Sequence, residues 1–266
     1  LHNAIAAKNF KLVKLLLANN ADLYIKNIQD KSALSLLLQD SDANGIIKEL
    51  IENGVISIDY HNDSGKNLLH IAFETFIPNA KNIQLLIKKG VDVNAEFEGK
   101  SALDLALLHK CYKTSVSKPR SLKLLDKIAK IKNDPSLNFK TVELLINNNA
   151  KIKSDSLAKL LSSPPSYHEK QEKVKIAKLL LEKGPDNLIN EVDEYFYSPL
   201  YLAIFYKFDI DFINLLIENG ADLHYQIPET GSTLIQIAAA LHLEDITELL
   251  LQSGANPYII DHKGHD

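Results

Sequence analysis

Seven times along a chain of 266 residues, an apolar run closes on the same punctuation. "LLIENGAD" at 215–222 echoes "LLIKKGVD" at 85–92, "LLLEKGPD" at 179–186 and "LLLQSGAN" at 249–256. Aligned on the residue after the run, the stops fall at Asn20, Gly54, Gly90, Asn149, Gly184, Gly220 and Gly254, at intervals of 34, 36, 59, 35, 36 and 34. Five of the six intervals sit just above a 33-residue period, and the sixth equals one period plus an insertion of about 26. The residue types carry a mechanism. A helix commonly ends by placing its next residue in the left-handed conformation, which glycine enters freely and asparagine tolerates best among the rest. Seven stops, all glycine or asparagine, therefore read as seven helix ends, all left-handed.

Upstream of the stops lie apolar stripes at helical spacing, such as Ile213, Leu216, Ile217 and Val13, Leu16, Leu17. About twenty residues before the stops comes a second signature. It reads "SALSLL" (32–37), "NLLHIA" (67–72), "SALDLA" (101–106), "SPLYLA" (198–203) and "TLIQIA" (233–238). Ser198 followed by Pro199 starts a helix, since serine caps free amides and proline is tolerated at the first helical position. Ala72, Ala106, Ala203 and Ala238 are small enough for neighbouring helices to approach closely. Each unit is thus turn, short helix, turn, second helix.

With "DSGKNLLHIA" (63–72) leading to "LLIKKGVDVNA" (85–95), the chain resembles the ankyrin-repeat family. "YSPLYLA" with "LLIENGAD" and "GSTLIQIA" with "LLLQSGAN" carry the same likeness. The resemblance implies an all-α solenoid of stacked helix-turn-helix units with projecting hairpin turns, in a single domain over 1–266. The units fall near 1–27, 28–60, 61–95, 96–152 with an insertion at 110–135, 153–190, 191–225 and 226–260, with 261–266 opening another. His2 and His70 occupy the family's "LH" position, where histidine holds the turn together. The chain opens inside a helix and closes in a turn, so a piece of a longer protein is expected.

Composition narrows the function classes. Net charge is −4, which argues against a global nucleic-acid or membrane-surface binder, and the single Cys111 permits no internal disulfide and suits a reducing compartment. No run is apolar enough for a membrane span, and a soluble, cytoplasmic protein is expected. Twenty-nine lysines against one arginine, Arg120, suggest an AT-biased genome; the absence of methionine has no explanation in the residues. The glycines are absorbed by turns and helix stops. His109 and Cys111 alternate near a helix end and should not face each other. His262 and His265 sit in a turn, and neither a metal nor a cofactor is expected.

The resemblance implies a scaffold that binds another protein through a concave groove and its turn tips, the targeting part of a larger protein. A secreted effector working in a host cytosol is one form of this. Two alternatives stand beside it: a non-catalytic region of a multidomain enzyme, or an anionic lipid or nucleic-acid binder acting through a basic insertion. Neither a small-molecule substrate nor catalytic residues are expected. The sixth unit gathers eight of the chain's nineteen aromatic residues within 195–212. Tyr195, Tyr197, Tyr201, Phe205 and Tyr206 form the expected partner-binding surface, because exposed aromatic rings supply contact area at low entropic cost. The competing reading is that these rings fill space beside the irregular fifth unit. Phe196 stands where the family has a turn glycine and puts that hairpin's shape in question.

Between 110 and 132 there are eight basic residues and one acid, Asp126. Lys110, Lys113, Lys118, Arg120, Lys123, Lys127 and Lys130 form a possible patch for an anionic partner, or else a solvated helix face. The fifth unit lacks the signature, and "SSPPSYHEKQEK" (162–173) reads as a loop because consecutive prolines cannot continue a helix. This is expected to be a flexible point in the stack. "DVNA" at 92–95 matches the context in which some members are hydroxylated, marking Asn94 as a candidate modification site.

Overall fold

The computed structural model describes residues 1–74, 78–108 and 136–265. Among them there is no strand, only isolated antiparallel bridges such as His61 with Asn67 and Gln226 with Thr233 at the bases of hairpin turns. The chain divides into two compact units, one of Leu1–Ala106 with Lys140–Lys151, the other of Leu107–Phe139 with Ile152–Asp266.

In the first unit, α1 (His2–Ala6), α3 (Ala33–Gln39) and α5 (Leu68–Phe73) pack in succession, as do α4 (Asn44–Glu52) and α6 (Ala80–Lys88). Helix α2 spans Phe10–Ala18, α7 spans Ala102–Leu108 and α8 spans Ser136–Asn147. The short helices are nearly all core: Ala33, Leu34, Leu37 and Leu38 of α3 and all of Leu68–Phe73 are buried. Burying each Leu or Ile stabilises by roughly 1.5–3 kcal/mol, which explains why helices of six or seven residues persist only inside a stack. Ser32 and Asn67 cap α3 and α5 by accepting from the amides of Ser35 (3.1 Å) and His70 (3.0 Å).

Polar side chains tie successive repeats together. The fully buried Asn82 on α6 donates to the carbonyls of Leu38 (2.9 Å) and Asp40 (3.0 Å) at the end of α3. His70 faces Asn67 Oδ1 at 2.6 Å in its own turn and the Lys100 carbonyl at 3.0 Å in the next; His2 likewise reaches the Lys31 carbonyl at 3.0 Å. Both histidines therefore reach into the next turn, and His70 also holds its own.

The second unit contains α9 (Ser156–Leu161), α10 (Tyr167–Lys183), a 3-10 turn (Asp186–Ile189), α11 (Pro199–Phe205), α12 (Ile210–Glu218), α13 (Leu234–Ala240) and α14 (Glu244–Gln252). First helices again pack on first helices, α9 on α11 on α13, and α12 packs on α14. Gln236 fills the position of His70 and donates to the His265 carbonyl at 2.8 Å, a different residue performing the same bridge.

Six of the seven helix stops are left-handed, with φ from 63° at Asn20 to 96° at Gly254. At each, two amides turn back onto the helix, as where Gly54 donates to the Ile51 carbonyl (3.1 Å) and Val55 to Leu50 (2.9 Å). Gly184 departs from the expectation: its backbone is extended, with ψ of 178°. Pro185 follows it and disfavours any helical conformation at the preceding residue. Glycine is needed there for room instead, because a Cβ would lie 2.5 Å from the Leu180 carbonyl oxygen.

The proline-rich segment is also shorter than the sequence suggested. Helix α10 already begins at Tyr167, because Ser166 and Glu169 close a capping box directly after the prolines. Lys173 reaches back to the carbonyls of Leu160 (2.6 Å) and Ser163 (2.8 Å), fastening the turn expected to be flexible.

Candidate partner-binding surface

The hairpin leading into α11 is built on one carboxylate. Asp193 is buried, and its Oδ1 accepts from the amides of Tyr195 and Tyr197, both at 2.9 Å. Its amide donates to the Tyr197 carbonyl (3.1 Å), and its carbonyl accepts from Phe196 (2.9 Å). Asn27, Asn62 and Asp261 anchor their own hairpins by the same bonds. In each case the third residue after the anchor is left-handed: Asp30 (59°), Gly65 (87°), Phe196 (64°) and Gly264 (84°). The hairpin questioned at the sequence level is thus intact, and Phe196 takes the glycine conformation despite its ring, which is 63% exposed.

Ser198 caps α11 by accepting from Tyr201, with Pro199 in the first position. Tyr197, Tyr201 and Phe205 then recur at a spacing of four, which sets their rings along one side. Ring centroids are 4.8 Å apart for Tyr197–Tyr201 and 5.6 Å for Tyr201–Phe205. Tyr195 extends the row at 6.4 Å from Tyr197, and Tyr206 meets Phe205 edge-on at 5.2 Å. Beneath them lie the buried Leu200, Ala203, Ile204 and Phe212.

The expected surface separates into two sets of rings. Tyr195 (59%) and Phe205 (45%) are exposed alongside Phe196, and Tyr197 is partly so. Tyr201 is only 6% exposed and is a floor for its neighbours rather than a contact residue, because the rings of Tyr197, Phe205 and Tyr225 surround it. The half-buried Tyr206 donates its hydroxyl to the Ser162 carbonyl at 3.3 Å, filling space against the fifth repeat. Tyr225 went unnoticed in the sequence. It closes the sixth unit, just ahead of the next hairpin, packs 6.4 Å from Tyr201 and donates its hydroxyl to the Phe196 carbonyl. Its only sequence signal is an aromatic residue just ahead of the next hairpin. Burial first, then the neighbouring charges and hydroxyls, pushes the hydroxyls of Tyr201 and Tyr225 up to about 12.

The other candidates fall elsewhere. Lys110, Lys113, Lys118, Arg120, Lys123, Lys127 and Lys130, with His109 and Cys111, lie outside the described residues. Asn94 is exposed, but its amide donates to the Asn149 carbonyl (3.0 Å) and accepts from Lys151 (2.8 Å). Asn190 makes the same pair of bonds to Gly220 and Asp222, so the position is a brace between repeats. His265 pairs with Asp261, and among the described residues no group of three or more His, Cys, Asp or Glu side chains could hold a metal. No helix among them is long and apolar enough to cross a membrane.

Comparison with known proteins agrees with this architecture. The family model for ankyrin repeats in three copies matches residues 1–97, and that for a single ankyrin repeat matches 230–262. The ankyrin repeat domain of human ASB11 is 18% identical over 96% of this chain and 98% of its own, with a TM-score of 0.62. The chain carries ankyrin repeats. The ankyrin repeat domain of Bcl-3 shares the fold at a TM-score of 0.57, with 21% identity over 88% of this chain and 91% of its own. A chain from the complex of the predatory endopeptidase Bd0816 of Bdellovibrio bacteriovorus with immunity protein Bd3460 aligns at 0.56, with 18% identity over 84% and 98%. Human 2-5A-dependent ribonuclease is 41% identical over 51 residues, which span 19% of this ankyrin chain and 7% of that protein. Ankyrin repeats are in general non-catalytic modules that bind other proteins.

Proposed function

We propose that this ankyrin-repeat chain recruits a partner protein through the aromatic surface of its sixth repeat. The observation that carries the reading is the exposure of Tyr195 and Phe205, with Phe196 exposed at the same hairpin tip, beside a floor made of the buried Tyr201 and the half-buried Tyr225. Rings held by their neighbours lose little entropy on binding and bury a large area, the combination that dominates interface energetics. A structural relative solved within an endopeptidase–immunity protein complex supports a protein as the ligand class. In this reading the repeats are the recruiting part of a larger cytosolic protein.

The test is affinity capture with the wild-type chain and a Tyr195→Ala/Phe205→Ala variant, both checked by circular dichroism. Both side chains are largely exposed, so the variant should keep the wild-type spectrum and lose the captured partner. Capture of the same partner in equal amount would refute the reading.

A further inference from the structure

The aromatic row has a chemical context that its own composition does not reveal. From 184 to 262 the chain carries thirteen acidic residues and one lysine, Lys207. At the residue just before the helix cap, the first three complete hairpins place Lys31, Lys66 and Lys100, whereas the two around the aromatic row place Tyr197 and Ser232. Hairpin tips that set a lysine beside their carboxylates in one part of the chain set rings or a hydroxyl beside them in another.

The first unit shows what such a combination takes. Lys66 Nζ sits 4.7 Å from the ring centroid of Phe97 and 2.7 Å from Glu74 Oε1, a cation held between a tip aromatic and a carboxylate. In the sixth repeat the matching hairpin position is Tyr197, and the ring row is bordered by acids in place of a lysine. Glu194 lies beside Tyr195 at the tip, and Glu229 belongs to the next tip, where its charge contributes to raising the hydroxyl pKa of both Tyr201 and Tyr225. Glu194 and Glu229 are exposed, and neither makes an ion pair among the described residues.

We infer that the occupant of this surface is a lysine- or arginine-rich segment of a partner protein. Its cationic side chains lie against the rings of Tyr195, Phe196 and Phe205, and its charge is balanced by Glu194 and Glu229. The inference rests on the proposed docking role and names its chemistry. Ring faces are electron-rich and attract ammonium and guanidinium groups, while the surrounding carboxylates speed encounter and disfavour acidic competitors. A purely apolar partner would leave these carboxylates facing nothing of opposite sign.

The experiment titrates the full chain into fluorescently labelled peptides of equal length, one alternating Lys and Arg with Ser, one with Glu and Asp in those places, and one of Ser and Leu. Anisotropy is read at low and moderate salt for wild type, Tyr195→Ala/Phe205→Ala and Glu194→Lys/Glu229→Lys, with circular dichroism and melting as fold controls. The expected result is that only the basic peptide binds, that each double variant weakens it at least tenfold, and that salt weakens it further. Absence of binding by the basic peptide overturns the inference. So does loss in the charge variant alone, which is general attraction to an acidic surface. An acidic or apolar peptide that binds wild type and is lost in Tyr195→Ala/Phe205→Ala refutes the basic occupant while sustaining the docking surface. If no peptide and no captured partner depends on Tyr195 and Phe205, both readings fall together.

Discussion

Phe196 and Gly65 hold the same backbone position in two hairpins, each three residues after a buried or partly buried Asx anchor and each left-handed, at φ of 64° and 87°. Glycine enters that region without cost, whereas a residue with a Cβ gives up roughly 1–2 kcal/mol. The chain therefore keeps an exposed aromatic ring where its own sister hairpin has the less strained solution. Backbone stability gives no reason for that choice; the proposed docking role would supply one.

Replacing Phe196 by glycine should for this reason stabilise the fold. Relief of the left-handed strain outweighs the extra entropy glycine carries in the unfolded chain, leaving a gain of about 0.5–1 kcal/mol. Urea denaturation followed by far-ultraviolet circular dichroism measures it as a higher midpoint at unchanged slope. A lower midpoint would mean that the ring is held by packing that its exposure does not suggest.

Two glycines at equivalent stops should respond differently to alanine. At Gly54 a Cβ meets nothing within 4 Å, so Gly54→Ala carries only the conformational penalty, about 1 kcal/mol. At Gly184 the new methyl meets the Leu180 carbonyl oxygen at 2.5 Å, with Leu188 and Ile152 closing the other sides at 3.1 and 3.2 Å. The obstacle there is backbone, which cannot rotate away, and Gly184→Ala should cost about 2–3 kcal/mol. Equal losses in paired denaturation curves would contradict the different roles assigned to the two positions.

Alkaline pH should unfasten the aromatic floor. An unfolded tyrosine loses its proton near 10, whereas Tyr201 and Tyr225 in the fold hold theirs to about 12. Between these values the native state binds more protons than the unfolded one, so stability falls as pH rises through that window and is unaffected by these groups below it. Tyr201→Phe removes one ionisation and should flatten the decline, measured by denaturation midpoints from pH 9 to 11. An unchanged slope in that variant would show that Tyr201 is not protected.

The repeats were legible because their signals are local. Asn20, Gly90 and Gly220 announce helix ends by residue type alone, and Ser198–Pro199 announces a start. Gly184 was misread because it shares the spelling of the other stops, although Pro185 already carried the contrary signal. The start of α10 at Tyr167 was equally available in Ser166 and Glu169, but two preceding prolines drew the reading toward a loop. The binding surface was legible only in part. Clustering pointed to Tyr195 and Phe205, while the sinking of Tyr201 and the arrival of Tyr225 depend on how the far end of the unit folds back onto its first helix, which helical spacing does not encode.

The hydroxyl of Tyr225 closing on the Phe196 carbonyl has a consequence for how such a chain changes over time. Arrays of this kind gain and lose whole modules, and a module that kept only Tyr195 to Tyr206 would carry the rings away from the neighbour that props them. Transplanting this recognition element into another scaffold therefore calls for the span from Glu191 to Gly231 as one inheritance unit, a whole repeat carried through to the opening of the next hairpin.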